Sequence, residues 1–295
     1  MGSKKIRERR AAIARETLEI LERGGYAAPG GDVVSIAAEL DAARAGARHY
    51  RPEELSALRE RVTARLRAAG PRRPATRFEV TGETTLASAR RLTQDAGFKD
   101  PACLNFASAR NPGGGFLGGS EGQEECLARA TGLYPCIANA DMEGMYRPAR
   151  VSRDALYSDH MIYAPRVPVL RDDDDALLPA PARVSIITAA AVNAGAVRKN
   201  QKRDRARIPE VMRARIGKLL ALAADRGHEA LVLGAWGCGV FQNDPAAVAG
   251  WFAEALFESS GAFADAFAHV VFAIVDSSKR QVTRAPFARA FRADA

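Results

Sequence analysis

The sequence predicts an α/β fold, a largely parallel sheet covered by helices on both faces and preceded by a mainly helical extension. Three observations carry this. From Arg77 onward, short and strongly apolar runs alternate with longer segments of helical periodicity, the pattern of a sheet buried on both faces. Two of those runs end in glycine-rich loops, and open α/β sheets bind ligands beyond the carboxyl ends of their strands. Before residue 71 the pattern is helical instead, and the break from Pro71 to Pro74 separates the two regimes. The expected division is an extension over 1–75, packed on an α/β domain over 76–295.

Each element has a local reason. Ile6, Ile13, Leu18, Ile20 and Leu21 make a rough apolar stripe from Lys4 to Arg23, and Gly24-Gly25 stops it. Asp32–Leu40 reads as a short strand. Pro52 opens a second helix running to Ala69, with Glu53 and Glu54 in the first turn, where the helix dipole favours acids, and Gly70-Pro71 after it. Strands are expected at Arg77–Val80, Ala102–Ala107, His160–Tyr163, Val184–Ala189, Ala230–Gly234 and His269–Asp276. Helices are expected at Thr85–Ala96, Glu121–Thr131, Pro209–Arg226 and Pro245–Phe257. The chain shows no internal repeat and no low-complexity segment.

Composition narrows the function classes. At 295 residues, 47% hydrophobic and 26% charged, the chain buries a sizeable core. No apolar run approaches the ~18 residues that span a bilayer, so a membrane partner is not expected. Cys103, Cys126, Cys136 and Cys238 form no C-x-x-C pair, and no signal peptide is evident, so a reducing cytoplasm is expected. The formal charge of +8 suggests a polyanionic partner, with a GC-rich coding bias, in keeping with the frequent Arg and Ala, as the competing explanation.

The first glycine-rich loop, NPGGGFLGGSEGQEE from Asn111 to Glu125, follows the Cys103–Phe106 run directly. Glycines tolerate close backbone approach, so Gly113, Gly114 and Gly115 can turn their N–H groups toward an anion or a sugar; a flexible turn is the alternative. Ser120-x-x-Gln123 has the form of a capping box, which would start a helix and put Glu124 and Glu125 near its first turn. The dipole there lowers carboxyl pKa values, whereas burial and a like charge raise them. The second loop, GAWGCGVFQNDP from Gly234 to Pro245, offers backbone donors at Gly237, Cys238, Gly239 and Val240, with the flat side chain of Phe241 beside them. It lacks G-K-[ST] and misses G-x-G-x-x-G, which argues against ATPase and dinucleotide readings; a plain strand-to-helix turn remains open. Two such loops at one sheet edge can wall a single cleft.

GGG followed after a short spacer by QEE resembles the signature of the poly(ADP-ribose) glycohydrolases, and Trp236-Gly237-Cys238-Gly239-Val240-Phe241 resembles their diphosphate loop. SIITAAAVNAGA, Ser185–Ala196, and FAIVDSS, Phe272–Ser278, are similar to the smaller bacterial type, and the likeness spans about Pro74 to Phe291. The resemblance implies a three-layer α/β/α macrodomain-like fold with a mixed sheet, and hydrolysis of the ribose–ribose bond of poly(ADP-ribose) without metal or other cofactor. It places the catalytic acid and base on Glu125 and the grip on the ribose hydroxyls on Glu124, beside Gln123. Asn111 and Gly113–Gly115 would line the distal ribose, Phe241 would pack beside the nucleotide, and Phe106 is a further nucleotide-contacting aromatic. Implied partners are ADP-ribose, its polymer and poly(ADP-ribosyl)ated proteins, met by a monomer acting at chain ends in the response to DNA damage. A mono-ADP-ribosyl hydrolase and a non-catalytic ADP-ribose reader are the alternatives. An added carboxylate pair does nothing for diphosphate binding, which counts against the reader.

Adjacent helical residues do not face each other across a substrate, so Glu124 is cast as a positioning group rather than a second catalyst. Asp172–Asp175 reads as a solvated hairpin loop rather than a magnesium site. His49, His160, His228 and His269 lack ligand spacing. The basic clusters Lys4–Arg10 and Lys199–Arg207 read as solvated faces able to gather a polyanion, and Lys279 and Arg280 as residues rimming the cleft.

Overall fold

The computed structural model describes residues 3–70, 74–257 and 261–292. The chain runs through α1 (Ser3–Arg23), a small hairpin of β1 (Gly25–Ala27) and β2 (Val33–Ser35), α2 (Ala37–Gly46), β3 (Arg48–Tyr50) and α3 (Pro52–Ala69). There follow β4 (Arg77–Thr81), α4 (Thr85–Gln94), β5 (Ala102–Phe106), α5 (Gln123–Ala130), α6 (Leu133–Ile137), α7 (Glu143–Val151), β6 (Met161–Arg171) and β7 (Leu177–Ala189). The last part is α8 (Ala194–Asn200), α9 (Ile208–Asp225), β8 (Ala230–Leu233), α10 (Pro245–Leu256), β9 (His269–Ala273) and α11 (Arg284–Ala290). The break expected at Pro71 falls on 71–73, outside the described residues.

One seven-stranded sheet, ordered β3-β6-β7-β5-β8-β9-β4, forms the middle layer. The pairings β7-β5, β5-β8, β8-β9 and β9-β4 are parallel, whereas β3-β6 and β6-β7 are antiparallel, so the sheet is mixed. Strand alternation sends Leu104, Ile187, Leu231 and Phe272 to one face, against α3, α9, α10 and α11. Cys103, Ile186, Val232 and Val271 go to the other face, against α4, α5, α6 and α7. Each buried aliphatic chain of this kind contributes about 1.5–3 kcal/mol.

Several expectations are corrected. Asp32–Leu40 is a strand only over Val33–Ser35 and then enters α2. The strands expected at 160–163 and 184–189 are the ends of a long hairpin, β6 with β7. Pro165, Pro168, Pro179 and Pro181 lie inside it, and prolines interrupt a strand signal in sequence. The ladder absorbs the first of them in a register shift between Ala164 and Val167, where Arg166 has φ 46°. Pro148, in the interior of α7, hid that helix in the same way.

Besides α3, which packs on α9, and α2, which lies on β6, the first 70 residues join the rest through β3 and α1. β3 extends the sheet beside β6. α1 lies on α5 and on the loop before it: Thr17 Oγ1 donates to the carbonyl of Arg129 at 2.7 Å, and Ala14 packs with Phe116 and Ala128. Buried Arg171 ties β6 to the same helix through Thr17 and Glu16.

Candidate functional site

All the parallel strands end at one edge of the sheet, and both glycine-rich loops rise from neighbours there, one after β5 and one after β8. The ring of Phe106 lies against Gly234, joining the two loop bases. Between the loops, the α4 N-terminus and the β9 end is a cavity of about 650 Å³, lined among others by Phe106, Gln123, Cys238, Gly239, Thr84 and Ile274.

The first loop is folded around two carboxylates. α5 begins at Gln123 with Gly122 as its cap, so the expected capping box does not form. Gln123 reaches back to the strand instead: Oε1 accepts from the N–H of Phe106 at 2.8 Å, and Nε2 donates to the Leu104 carbonyl at 2.7 Å and to Thr85 Oγ1 at 3.0 Å. Those bonds fix the first turn of α5 against the end of β5. Glu124 then points inward, 4% exposed, accepting from the N–H of Ser108 at 2.7 Å and of Gly113 at 3.2 Å. Burial pushes its pKa up to about 8; the Ser108 N–H pulls it back and the neighbouring Glu125 charge adds to the rise. The Asn105 carboxamide also reaches this carboxyl and pulls its pKa back, while its Nδ2 donates to Thr188 Oγ1 at 3.2 Å and its buried Oδ1 has no partner among the described residues.

Glu125, one residue on and only partly buried, accepts from the N–H of Gly115 at 3.0 Å. Gly114, at φ 60°, faces it so closely that a Cβ there would strike the Glu125 carboxylate. The glycine N–H groups expected to face an anion are therefore taken: Gly113 and Gly115 by the glutamates, and Gly114 by the Asn111 carbonyl. Asn111 itself is exposed at the start of the turn. From behind, Arg7 Nε donates to the Gly118 carbonyl at 2.7 Å and Arg10 pairs with Glu121.

The second loop is supported from below. Trp236 is fully buried and donates to the Ala189 carbonyl at 3.1 Å. Gly237 has φ 74°, and a Cβ on it would come within 2.6 Å of Ala191. Asn243 Nδ2 donates to the carbonyls of Val192 at 2.7 Å and Gly237 at 3.1 Å, closing the loop. Among the described residues the N–H groups of Gly239, Val240 and Phe241 find no acceptor, and Val240 is 90% exposed. Burial pushes the Cys238 thiol up to about 12, so it is not a nucleophile near neutral pH.

Sequence reasoning missed what steadies these loops. The Phe241 ring packs on Tyr157, centroids 5.8 Å apart, and Tyr157 sits in a strained turn at φ 57°. Arg215, fully buried on α9, holds that turn through the carbonyls of Leu156 and Tyr157 and binds Ala190 O and Asp159. Burial would raise Asp159, but Arg215 and Lys218 hold its carboxyl below the usual range. Lone basic residues inside an apolar helix, as in the run around Arg215, were the available signal. Asp172–Asp175 forms the expected hairpin turn, but it leans on the cavity: Thr84 Oγ1 donates to Asp173 at 2.7 Å and Arg129 pairs with Asp175 at 3.2 Å. Among the described residues no three His, Cys, Asp or Glu side chains gather in a metal-binding group. His49 and His160 hydrogen-bond to each other at 2.9 Å, His228 bonds Tyr163, and His269 faces Glu79. Lys279 and Arg280 are exposed on the segment whose Ile274, Val275 and Thr283 line the cavity.

Comparison with known proteins gives one answer. Residues 14–172 match the family described as microbial-type PARG, catalytic domain. Poly(ADP-ribose) glycohydrolase from Thermomonospora curvata is 52% identical, covering 96% of this chain and 100% of that one with a TM-score of 0.90. The same bacterium's enzyme bound to the inhibitor ADP-HPD is similar at 51% identity, the same coverage and a TM-score of 0.87. The Deinococcus radiodurans enzyme in complex with ADP-ribose is 45% identical over 85% of this chain and 96% of that one, with a TM-score of 0.77. A search among curated proteins found no match.

Proposed function

The chain belongs to the microbial-type poly(ADP-ribose) glycohydrolases, glycosidases of ADP-ribose polymers, and from that premise we propose that Glu125 is the acid and base of its reaction. The observation carrying this is the unequal setting of two consecutive carboxyls. Glu124 is buried and locked on Ser108 and Gly113, whereas Glu125 is reachable on the rim of the glycine turn.

A ribosyl bond breaks through an oxocarbenium-like state, in which the departing oxygen needs a proton and the sugar tolerates no competing positive charge. Glu125 protonates the ribose oxygen leaving from C1″ and then, as carboxylate, takes a proton from the attacking water. Glu124 and the turn Asn111–Gly115 orient the ribose. The free N–H groups of Gly239, Val240 and Phe241 receive the diphosphate, whose charge lies near enough to favour the cationic sugar. The 650 Å³ cavity takes the adenosine, with Phe106 and the α4 N-terminus around it. Gln123 serves by fixing α5 rather than by touching the sugar. α1, closing the back of the turn through Arg7, favours release from chain ends by a monomer. The four free thiols support a reducing compartment, and no helix among the described residues is long and apolar enough to cross a membrane.

The test is release of free ADP-ribose from poly(ADP-ribosyl)ated protein, with EDTA present, by the unmodified protein and by Glu125→Gln. The expected loss is about 10²–10⁴-fold in the variant, with ADP-ribose binding kept in calorimetry. An unmodified protein that binds ADP-ribose but shortens no polymer would defeat the reading in favour of a monomer hydrolase or a reader.

A further inference from the structure

Beyond the cleft lies a cationic surface that the reaction itself does not use. The edge of the sheet runs in the order β7, β5, β8, β9, β4, and the cavity extends from Phe106 and Cys238 to the β9–β4 end at Ile274, Val275 and the start of α4, with no residue of β7 or α8 in its lining. At the opposite end β7 runs into α8, and there Arg198, Lys199, Lys202, Arg203 and Arg205 are all exposed. Among the described residues none of these five has a carboxylate within ion-pair distance; the nearby Asp204 is paired with Arg207 instead.

This segment is part of the site's own scaffold. Arg198 donates to the carbonyl of Gln242, next to Phe241, at 2.7 Å, and Gly195 N–H bonds the Phe241 carbonyl. Gln201 binds the backbone of Ala155 and the side chain of Asp154, joining α8 to the Tyr157 turn. Across that turn, Ala109, Ala149 and Ala190 pack together beneath Tyr157 and bring up a second exposed group, Arg110, Arg147 and Arg153, again without ion-pair partners among the described residues. Only Arg150, which holds the Arg110 carbonyl, is neutralised, by Glu143 at 2.6 Å.

Resting on the glycohydrolase reading, we propose that this surface is a track for the polymer still attached to the unit being removed. With that unit's adenosine in the cavity at the β9–β4 end, its scissile ribose points toward β5 and β7. The remaining chain therefore leaves over Tyr157, between the two arginine and lysine groups. Each further unit carries a diphosphate, so successive units meet unpaired cations, while free ADP-ribose, held inside the cleft, meets none of them. A surface of this kind gathers a polyanion by releasing its counterions, and its contribution falls as salt rises.

The experiment measures binding in the Glu125→Gln background, where the probe persists, using ADP-ribose alone and purified poly(ADP-ribose) of about twenty units over a salt series. The triple variant Lys202→Ser, Arg203→Ser, Arg205→Ser is compared with Arg67→Ser, Arg289→Ser, exposed arginines outside this surface. The expected result is a polymer Kd raised on the order of tenfold, with a shallower salt dependence, and an unchanged Kd for ADP-ribose only in the triple variant. An unchanged polymer Kd overturns the track, as does an equal loss in the control variant or an equal loss of ADP-ribose affinity. Failure of the glycohydrolase reading would appear elsewhere, as absence of product from the unmodified protein.

Discussion

The two glycine-rich loops crown neighbouring parallel strands, yet their backbone amides are used in opposite ways. The loop after β5 turns its N–H groups inward, onto Glu124 and Glu125 of the helix that follows it. The loop after β8 is held from below by Trp236 and Asn243 and leaves its outer N–H groups free. The lesson is that glycine content does not by itself mark an anion cradle. In one loop the glycines make room for side-chain carboxylates, and in the other they accompany backbone amides that find no acceptor among the described residues.

That contrast breaks first at Gly114. Gly114→Ala forces an L side chain into φ 60° and onto the Glu125 carboxylate, so kcat should fall by about 10²-fold or more through displaced geometry. Stability should fall by about 1–3 kcal/mol. Steady-state kinetics with chemical denaturation reads both, and full activity in a well-folded variant would mean that Glu125 does not work from this position.

The next effect belongs to Glu124. Its folded pKa, about 8, is raised above the unfolded value, so it favours folding most at low pH, and that contribution is lost as pH rises from about 4.5 through 8. Glu124→Gln keeps the shape and removes the titration. Its unfolding free energy should change with pH less than that of the unmodified protein across this window, the two diverging by on the order of a few kcal/mol. Parallel pH profiles would mean that the N–H donors, not burial, set its charge.

The smallest effect probes the second loop. Asn243→Ala leaves the buried Val192 carbonyl without its donor, while the Gly237 carbonyl keeps the backbone N–H of residue 243, and should cost about 1–3 kcal/mol. By loosening the free amides it should raise the Kd for ADP-ribose about tenfold, while kcat at saturation changes less. If kcat fell instead with Kd unchanged, the two loops would not be divided between binding and chemistry.

Much of this was legible in the sequence where local rules act alone. α3 spans Pro52–Ala69 as its proline and first-turn glutamates predict, and β5 and β8 deliver both loops where their apolar runs end. What was not legible depends on partners far along the chain. Gln123 looked like a cap or a ligand contact, and only the position of Leu104, Phe106 and Thr85 shows that it is a clamp. Tyr157 and Arg215 matter through each other and through Phe241, which no spacing reveals. The β6–β7 hairpin was cut short because its prolines act locally as breakers, while its pairing overrules them.

The edge pairing of β4 with β9 also governs timing. Arg77 lies opposite His269, and among the described residues β4 has no other neighbour in the sheet, so this strand must wait for a partner almost two hundred residues later. Such distant parallel pairing forms slowly. On the ribosome, the cavity wall contributed by Ile274 and Val275 does not exist until those residues, about 150 after Glu125, have been synthesised. A nascent protein therefore carries both glutamates long before it has a cleft to use them in, and competence arrives in one late step.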